Sequence, residues 1–138
     1  VGLPYAIGAK AALPDKKVIL VVGDGSLGFH VPEIDTSIRH NLPITVVVGN
    51  NSLWGIDYWI QKGLYNRDVW TKLDQTKYEL VAKGFGAEGK LVDNPSLLKD
   101  EIKNSLKSDK MTVLNTVVRK ISSPVADAAV TRKLGTHG

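Results

Sequence analysis

The sequence predicts an α/β fold built on a mostly parallel sheet. Two short apolar runs, Val18–Val22 and Ile44–Val48, are rich in β-branched residues, which is typical of strands buried on both faces. Between these runs, apolar residues recur at helical spacing at Val31, Ile34 and Ile38. A helix that joins two parallel strands forms a βαβ unit, so the segment is predicted to be one crossover helix.

The second half of the chain predicts further elements of the same kind. Residues Thr76–Gly86 carry an apolar stripe at helical spacing and end in glycines, which predicts a helix. Lys90–Val92 is a short strand candidate. Asn94 followed by Pro95 is typical of a helix start, and this helix is expected to run to about Ser108. Met111–Val118 is the third strong strand.

Polar residues follow the first two strands at the points where they end. Gly23-Asp24-Gly25 follows the first run and Asn50-Asn51 follows the second, with 24 residues between the two motifs. If the strands are neighbours, their carboxyl ends lie about 5 Å apart. Carboxylate and amide oxygens are the ligands that Mg²⁺ prefers, together with phosphate oxygens. We therefore expect Asp24 and Asn51 to face one crevice and to hold a divalent cation.

Glycines around Asp24 indicate that this cation accompanies a phosphorylated ligand. Gly23 and Gly25 permit a tight turn and close backbone approach, and Ser26–Gly28 lead into a helix whose first N–H groups favour an anion. Gly23–Gly28 also has the G-x-G-x-x-G spacing of dinucleotide-binding folds. The next strand ends in Gly49–Asn51 without an acidic residue, which favours a metal over a dinucleotide ribose.

These residues resemble the signature of thiamine-diphosphate (ThDP) enzymes, in which Gly-Asp-Gly is followed after about 24 to 27 residues by Asn-Asn. Here the signature stands as Gly23–Ser26 and Asn50-Asn51. Three flanking blocks also resemble the family: Gly2–Ala9, Glu33–Thr36 and Asn41–Pro43. The similarity runs from about residue 2 to residue 118 and is strongest for the acetolactate-synthase-like group. It implies the family's three-layer, doubly wound sheet with helices on both faces.

The resemblance also implies a role for individual residues. Asp24 and Asn51 would bind Mg²⁺ through their side chains, and Leu53 would bind it through its main-chain oxygen. Gly25 and Ser26 would hold the diphosphate, while residues 54–56 would lie nearest the thiazolium ring. The implied cofactor-binding set consists of Gly23, Asp24, Gly25, Ser26, Asn51, Leu53, Trp54, Gly55 and Ile56.

The implied activity is the formation or cleavage of a carbon–carbon bond next to a carbonyl, with a 2-keto acid such as pyruvate as substrate. In this family the glutamate that activates the cofactor comes from a pyrimidine-binding domain of the same or a neighbouring subunit. No residue of this chain matches it, so the chain is expected to carry no catalytic residue and to be inactive in isolation. A homodimer or homotetramer is implied.

Two alternatives remain open at the level of sequence. Trp54–Asp57 and Asn66–Val69 show a mild similarity to 2-hydroxyacyl-CoA lyases, with oxalyl-CoA decarboxylases as a related case. A different class would be a non-catalytic phosphate- or nucleotide-binding module, such as a receiver-like domain with Asp24 as acceptor. That hypothesis leaves Asn50-Asn51 and the flanking blocks unexplained.

Composition fits one cytoplasmic domain. The chain has 138 residues, 43% of them hydrophobic, and no cysteine, which excludes disulfides and zinc-thiolate sites. The net charge is +4, but the lysines are scattered, and Lys99, Lys103 and Lys107 are expected to form a solvated helix face, so no nucleic-acid partner is predicted. No apolar run approaches the about 20 residues that a membrane span requires, and no membrane association is predicted.

The chain begins without methionine inside a family block, which suggests a fragment of a longer polypeptide. Residues 1–120 are expected to form the ThDP- and Mg²⁺-binding domain, and residues 121–138 a tail that is either a lid or, preferably, disordered.

Residues 51–74 are aromatic and irregular, which suggests either a substrate or subunit surface or a satellite core. His30 is expected at the surface, with the cofactor cleft as the alternative, and His137 carries no mechanism.

Overall fold

The computed structural model describes residues 1–135, and these residues form a four-stranded parallel sheet with helices on both faces. The sheet has the strand order β1-β2-β4-β3. Its strands are β1 (Ile19–Gly23), β2 (Thr45–Asn50), β3 (Glu88–Val92) and β4 (Thr112–Val117). The helices are α1 (Gly2–Ala12), α2 (Asp24–Gly28), α3 (Glu33–Arg39), α4 (Gly55–Tyr65), α5 (Tyr78–Gly84), α6 (Pro95–Ser105) and α7 (Pro124–Gly135).

The predicted strands are confirmed, with boundaries that shift by one or two residues. β1 and β2 are adjacent and parallel, and their register pairs Gly23 with Gly49. This register places the ends of the two strands side by side, so the residues that follow each strand meet at one edge of the sheet. β4 lies between β2 and β3, which makes β2 and β4 the central strands.

The larger core lies on one face of the sheet and is covered by α1, α3 and α5. Its fully buried members include Leu3 of α1, Ile34 of α3 and Ala82 of α5. Val46 and Val48 of β2 point into the same cluster, since residues two apart in a strand share a face.

A smaller core lies on the opposite face. Val47, Leu114 and Val92 are buried there, and Leu98 and Ile102 of α6 pack against them. Successive side chains of β2 therefore point alternately into the two cores. This arrangement confirms the predicted three-layer α/β fold. Within residues 1–135, no such covering protects β1 on this second face, as the 76% exposure of the Val21 side chain shows.

The crossover between β1 and β2 differs from the predicted single helix. It contains two helices, α2 and α3, that are separated by residues 29–32. Pro32 is the N-cap of α3, where its missing N–H removes no helical hydrogen bond. Val31 therefore lies outside α3, although it packs against the larger core. The helical spacing of Val31, Ile34 and Ile38 therefore reflects their packing into the larger core and not one continuous helix.

Residues 51–74 are also more regular than predicted, because Gly55–Tyr65 forms α4. Residues 124–135, in the segment for which the sequence suggested a lid or a disordered end, form α7 and pack against α4. Where the two helices touch, a Cβ on Gly63 would stand 2.6 Å from Val130 Cγ2. The missing side chain at Gly63 thus allows a close helix contact that periodicity does not reveal. His137 lies outside the described residues.

Residues 1–135 contain no helix that is long and apolar enough to cross a membrane. Lys99, Lys103 and Lys107 are exposed, as the solvated-face prediction requires.

Gly89 of β3 provides a test of the packing between α5 and the sheet. A Cβ at this position would lie 1.9 Å from the main-chain oxygen of Glu79, so Gly89→Ala must displace backbone. We expect Gly89→Ala to lower the free energy of unfolding by about 3 kcal/mol or more, measured by urea denaturation.

Gly8→Ala is the matched control, because a Cβ at Gly8 of α1 meets no atom within 4 Å. This change should raise stability by up to about 1 kcal/mol, since alanine is the better helix former. Equal effects of the two substitutions would show that the close approach at Gly89 does not constrain the fold.

Candidate functional site

A cavity of about 380 Å³ lies at the carboxyl ends of β1 and β2. Its walls come from the turn after β1, the loop after β2, the first turns of α4 and the segment before α7. The lining residues are Gly23, Asp24, Gly25, Ser26, Gly49, Asn51, Leu53, Trp54, Gly55, Ile56, Asp57, Trp59, Ile121 and Ser123. The register between β1 and β2 is what brings the two sequence motifs to this one cavity.

Asp24 is the most unusual group in the cavity. It begins α2 directly after β1 and is only 3% exposed. Its Oδ2 is buried and has no hydrogen-bond partner among residues 1–135. Burial raises the pKa of this carboxyl, while the main-chain amides of Gly25 and Ser52 act in the opposite direction. The folded chain therefore holds a carboxylate whose charge is incompletely compensated.

Asn51 lines the same cavity as Asp24 and lies on a tightly held turn. Its Oδ1 accepts a hydrogen bond from the Leu53 amide at 3.1 Å, and Ser52 between them adopts a left-handed φ of 57°. Two main-chain bonds fasten the turn to a later segment, from Trp54 N to Thr71 O at 2.8 Å and from Leu73 N to Ser52 O at 2.9 Å. The loop after β2 is thus held to residues 71–73 at both Ser52 and Trp54.

Gly25 allows an aromatic ring to close one side of the cavity. A Cβ on Gly25 would lie 2.9 Å from the ring of Trp54, so any side chain here would displace that ring. Phe29 packs against the other side of Trp54, with the ring centroids 5.0 Å apart. Glycine at this position is therefore required by the packing of the Trp54 ring.

Tyr78 approaches Asp24 from below the cavity. Its Oη donates a hydrogen bond to the main-chain oxygen of Asp24 at 2.8 Å. Burial, and secondarily the charge of Asp24, raises the pKa of the Tyr78 phenol. The phenol therefore stays protonated and remains a donor at neutral pH.

The structure brings all nine residues of the predicted cofactor-binding set to the same cavity. It also adds five that the sequence reasoning missed: Gly49, Asp57, Trp59, Ile121 and Ser123. Asp57 and Trp59 follow the motif on α4, and the recognition of that helix would have indicated them. Ile121 and Ser123 carry no local signal, since only the chain path after β4 brings them to the cavity.

Two residues in or near the motifs, Asn50 and His30, do not line the cavity. Asn50 points away from the cavity and is 0% exposed, so only the second asparagine of the pair lines the site. His30 is not among the lining residues, and its Nδ1 lies 3.2 Å from the N-terminal amine of Val1.

The donor set suits a hard cation that brings its own anionic ligand. Residues 1–135 contain no group of three His, Cys, Asp or Glu side chains that could bind a metal. Asp24 supplies one carboxylate with an unpaired oxygen, and Asn51 supplies a neutral oxygen on the same cavity. Mg²⁺ is commonly bound in this way, through one or two carboxylates and the phosphates of a ligand. The residues present therefore fit a cation bound together with a phosphorylated group.

The fold and the position of the cavity define an α/β domain that binds its ligand at the carboxyl ends of parallel strands. Comparison with known families gives the particular class. Residues 1–116 match the family model described as "Thiamine pyrophosphate enzyme, C-terminal TPP binding domain". The chain belongs to this family, as the sequence resemblance predicted.

Similar proteins include enzymes of several activities. The chain is 36% identical over 115 residues to a probable acetolactate synthase of Mycobacterium bovis, covering 83% of this chain and 21% of that protein. It is 38% identical over 125 residues to 2-hydroxyacyl-CoA lyase 2 of Danio rerio, covering 87% of this chain and 20% of that protein. The chain thus spans about a fifth of the length of these relatives.

A solved structure agrees with this assignment. The thiamine diphosphate-dependent 4-hydroxybenzoylformate decarboxylase of Rhodococcus jostii RHA1 superposes with a TM-score of 0.79 at 26% identity. The match covers 88% of this chain and 23% of that chain.

The burial of Asp24 predicts a gain in stability when its charge is removed. With divalent cations chelated, we expect Asp24→Asn to raise the free energy of unfolding at neutral pH by about 1 kcal/mol, because a buried, partly uncompensated charge is replaced by a neutral group of similar shape. Urea denaturation measures the change. Asp57→Asn, at an exposed position of the same cavity, is the control and should change stability by less than about 0.5 kcal/mol. A destabilised Asp24→Asn protein would contradict this account of the charge.

Proposed function

We propose that this domain holds the diphosphate of ThDP through Mg²⁺, within an enzyme that makes or cleaves a carbon–carbon bond next to a carbonyl. The observation that carries the proposal is the buried Asp24, whose Oδ2 has no partner among the described residues and which shares a cavity with Asn51. A cation between these side chains would compensate the charge of Asp24. The family match supports ThDP as the ligand.

The roles are those that the family resemblance implies, and they are supported by the position of each residue on the cavity. Asp24 and Asn51 would be side-chain ligands to Mg²⁺, and the main-chain oxygen of Leu53 would be a third. Gly25 and Ser26 offer main-chain N–H groups in the first turn of α2, where the amides lack acceptors within the helix. These amides hold the diphosphate oxygens.

The other wall of the cavity orients the reactive part of the ligand. When bound, ThDP supplies the nucleophilic carbon and the electron sink for the reaction. Trp54, Gly55 and Ile56 line this wall, where they would position the thiazolium ring and limit access of water. The task of this chain is thus binding and orientation, and no catalytic residue is assigned to it.

We infer an acetolactate-synthase-like activity on a 2-keto acid such as pyruvate, which makes the enzyme a transferase. The similarity to a probable acetolactate synthase supports this substrate class. The activating glutamate would come from a pyrimidine-binding domain of the same or a neighbouring subunit, in a cytoplasmic homodimer or homotetramer. Exposed apolar groups beside the cavity, such as Phe29 and Ile121, support a partner surface here.

A lyase acting on 2-hydroxyacyl-CoA thioesters, or an oxalyl-CoA decarboxylase-like enzyme, is the second candidate. The similarity to 2-hydroxyacyl-CoA lyase 2 favours it. A second cavity of about 720 Å³ also adjoins the first through Asn51, Ile121 and Ser123, and Leu98 and Val118 line it. Such a space would accommodate an acyl chain. A non-catalytic receiver-like module has no comparable support, because the family match is to a TPP-binding domain.

Calorimetry with ThDP and Mg²⁺ tests the binding site directly. Wild-type protein should bind ThDP only when Mg²⁺ is present, while ADP with Mg²⁺ should bind far more weakly. Asp24→Ala should weaken Mg²⁺-dependent ThDP binding by at least about 100-fold, since it removes the only carboxylate among the proposed protein ligands. Heat from ThDP that does not depend on Mg²⁺, or unchanged binding by Asp24→Ala, would refute the assignment.

Activity assays test the need for a second domain and separate the two substrates. The isolated chain should not turn over pyruvate, because the activating glutamate is absent from it. Protein that carries the pyrimidine-binding domain should form acetolactate from pyruvate, whereas a lyase would instead cleave a 2-hydroxyacyl-CoA. Robust acetolactate formation by the isolated chain would overturn the expectation that the active site is shared between this domain and a pyrimidine-binding domain.

A further inference from the structure

One short segment contacts both halves of the proposed magnesium site. Residues 75–79, here called the brace, are the three residues before α5 and the first two residues of that helix. They lie more than 50 positions after Asp24 and more than 20 after Asn51, so only the fold brings them there. None of them lines the cavity itself.

Tyr78 connects the brace to the first half of the site. Its Oη donates to the main-chain oxygen of Asp24 at 2.8 Å, and the side chain is only 7% exposed. The ring belongs to the larger core cluster, which holds the hydroxyl in place. A Cβ on Gly28 would stand 3.4 Å from this hydroxyl, so the approach to α2 is close. Tyr78 thus fixes the backbone from which the Asp24 carboxylate projects.

Buried amides connect the brace to the second half of the site. The main-chain oxygen of Thr76 accepts hydrogen bonds from Asn50 Nδ2 at 3.0 Å and from Asn115 Nδ2 at 3.2 Å. Asn50 also donates to Asn115 Oδ1 at 3.0 Å, and Asn115 donates to Glu79 Oε2 at 2.6 Å. This network ties the ends of β2 and β4 to the start of α5.

The left-handed turn beside Asn51 is held by the same elements. Ser52 Oγ donates to Gln75 Oε1 at 2.9 Å, and the Ser52 amide donates to Asn50 Oδ1 at 3.3 Å. Ser52 lies between Asn51 and Leu53, so its position sets where both groups point. The brace therefore restrains the turn after β1 and the turn after β2 at once.

We propose that the brace fixes the separation of the two turns and thereby makes the site selective for Mg²⁺ over larger cations, with Tyr78 as the principal positioning residue. The inference rests on the proposed function. Mg²⁺ requires near-ideal octahedral ligands at about 2.0–2.1 Å, whereas Ca²⁺ accepts irregular ligands at about 2.3–2.6 Å. Loosening one turn should consequently lower the affinity for Mg²⁺ more than the affinity for Ca²⁺.

Tyr78→Phe tests the inference because it removes the hydroxyl and keeps the ring in the core. In the protein that carries this domain, affinities for Mg²⁺ and for Ca²⁺ are measured separately at saturating ThDP. We expect Tyr78→Phe to weaken Mg²⁺ binding by about 10-fold or more, as supporting groups around metal sites commonly do. Ca²⁺ binding should change by less than about 3-fold, so that selectivity for Mg²⁺ falls.

Tyr5→Phe is the matched control, since Tyr5 is exposed on α1 away from the cavity, and it should leave both affinities unchanged. Gln75→Ala offers a second, independent test through the Ser52 contact, and it should lower the same selectivity in a smaller degree. Circular dichroism establishes that each variant is folded.

Unchanged affinities in folded Tyr78→Phe protein would overturn the inference, and so would an equal loss for Mg²⁺ and Ca²⁺, which a general loosening of the fold would produce. In both cases the proposed function would stand if wild-type protein still required Mg²⁺ to bind ThDP and Asp24→Ala did not bind it. Failure of the wild-type protein to bind ThDP with either cation would overturn both proposals.

Discussion

The structure is organised around a carboxylate that the fold buries without full compensation. Asp24 Oδ2 has no hydrogen-bond partner among residues 1–135, although burial of a charge is costly unless it is paired. The rest of the fold holds this group in place, because the parallel register of β1 and β2 sets its position and Tyr78 holds its backbone. An incompletely satisfied group of this kind reduces the stability of the empty domain. The cation proposed to bind here would compensate this same carboxylate.

The two asparagines after β2 show how neighbouring identical residues acquire different roles. Asn51 lines the cavity, whereas Asn50 faces the interior and joins a buried network with Asn115 and the main chain of Thr76. Successive residues of a strand point to opposite sides, so one amide is available to a ligand and the other to the scaffold. A residue of the proposed metal site and a residue that supports it are therefore neighbours in sequence, and a change in either asparagine would affect the other through the shared turn at Ser52.

Most of the sheet could be predicted from sequence, because runs rich in apolar, β-branched residues are typical of buried strands. β2 is buried along most of its length, whereas residues 1–135 cover β1 on one face only, and β4 includes the polar Asn115 within its apolar run. Helices were predicted less well where tertiary contacts determined them. α4 was missed, since it lies among aromatic residues that also suggest a loop, and it is held by α7 across Gly63. The break between α2 and α3 was missed because residues of a turn can pack into the core at helical spacing.

The sequence by itself determined the fold class, the family and nine of the residues that line the cavity, since the family motifs stand at the ends of two neighbouring strands. Tertiary structure alone decided what supports those residues. Tyr78, Asn115 and Gln75 have no sequence signal for such a role, because hydrogen bonds between distant segments depend on how α5 and β4 pack and not on local spacing. The structure likewise decided that Asp24 would be buried with an unpaired oxygen, since burial depends on all the elements that surround a residue.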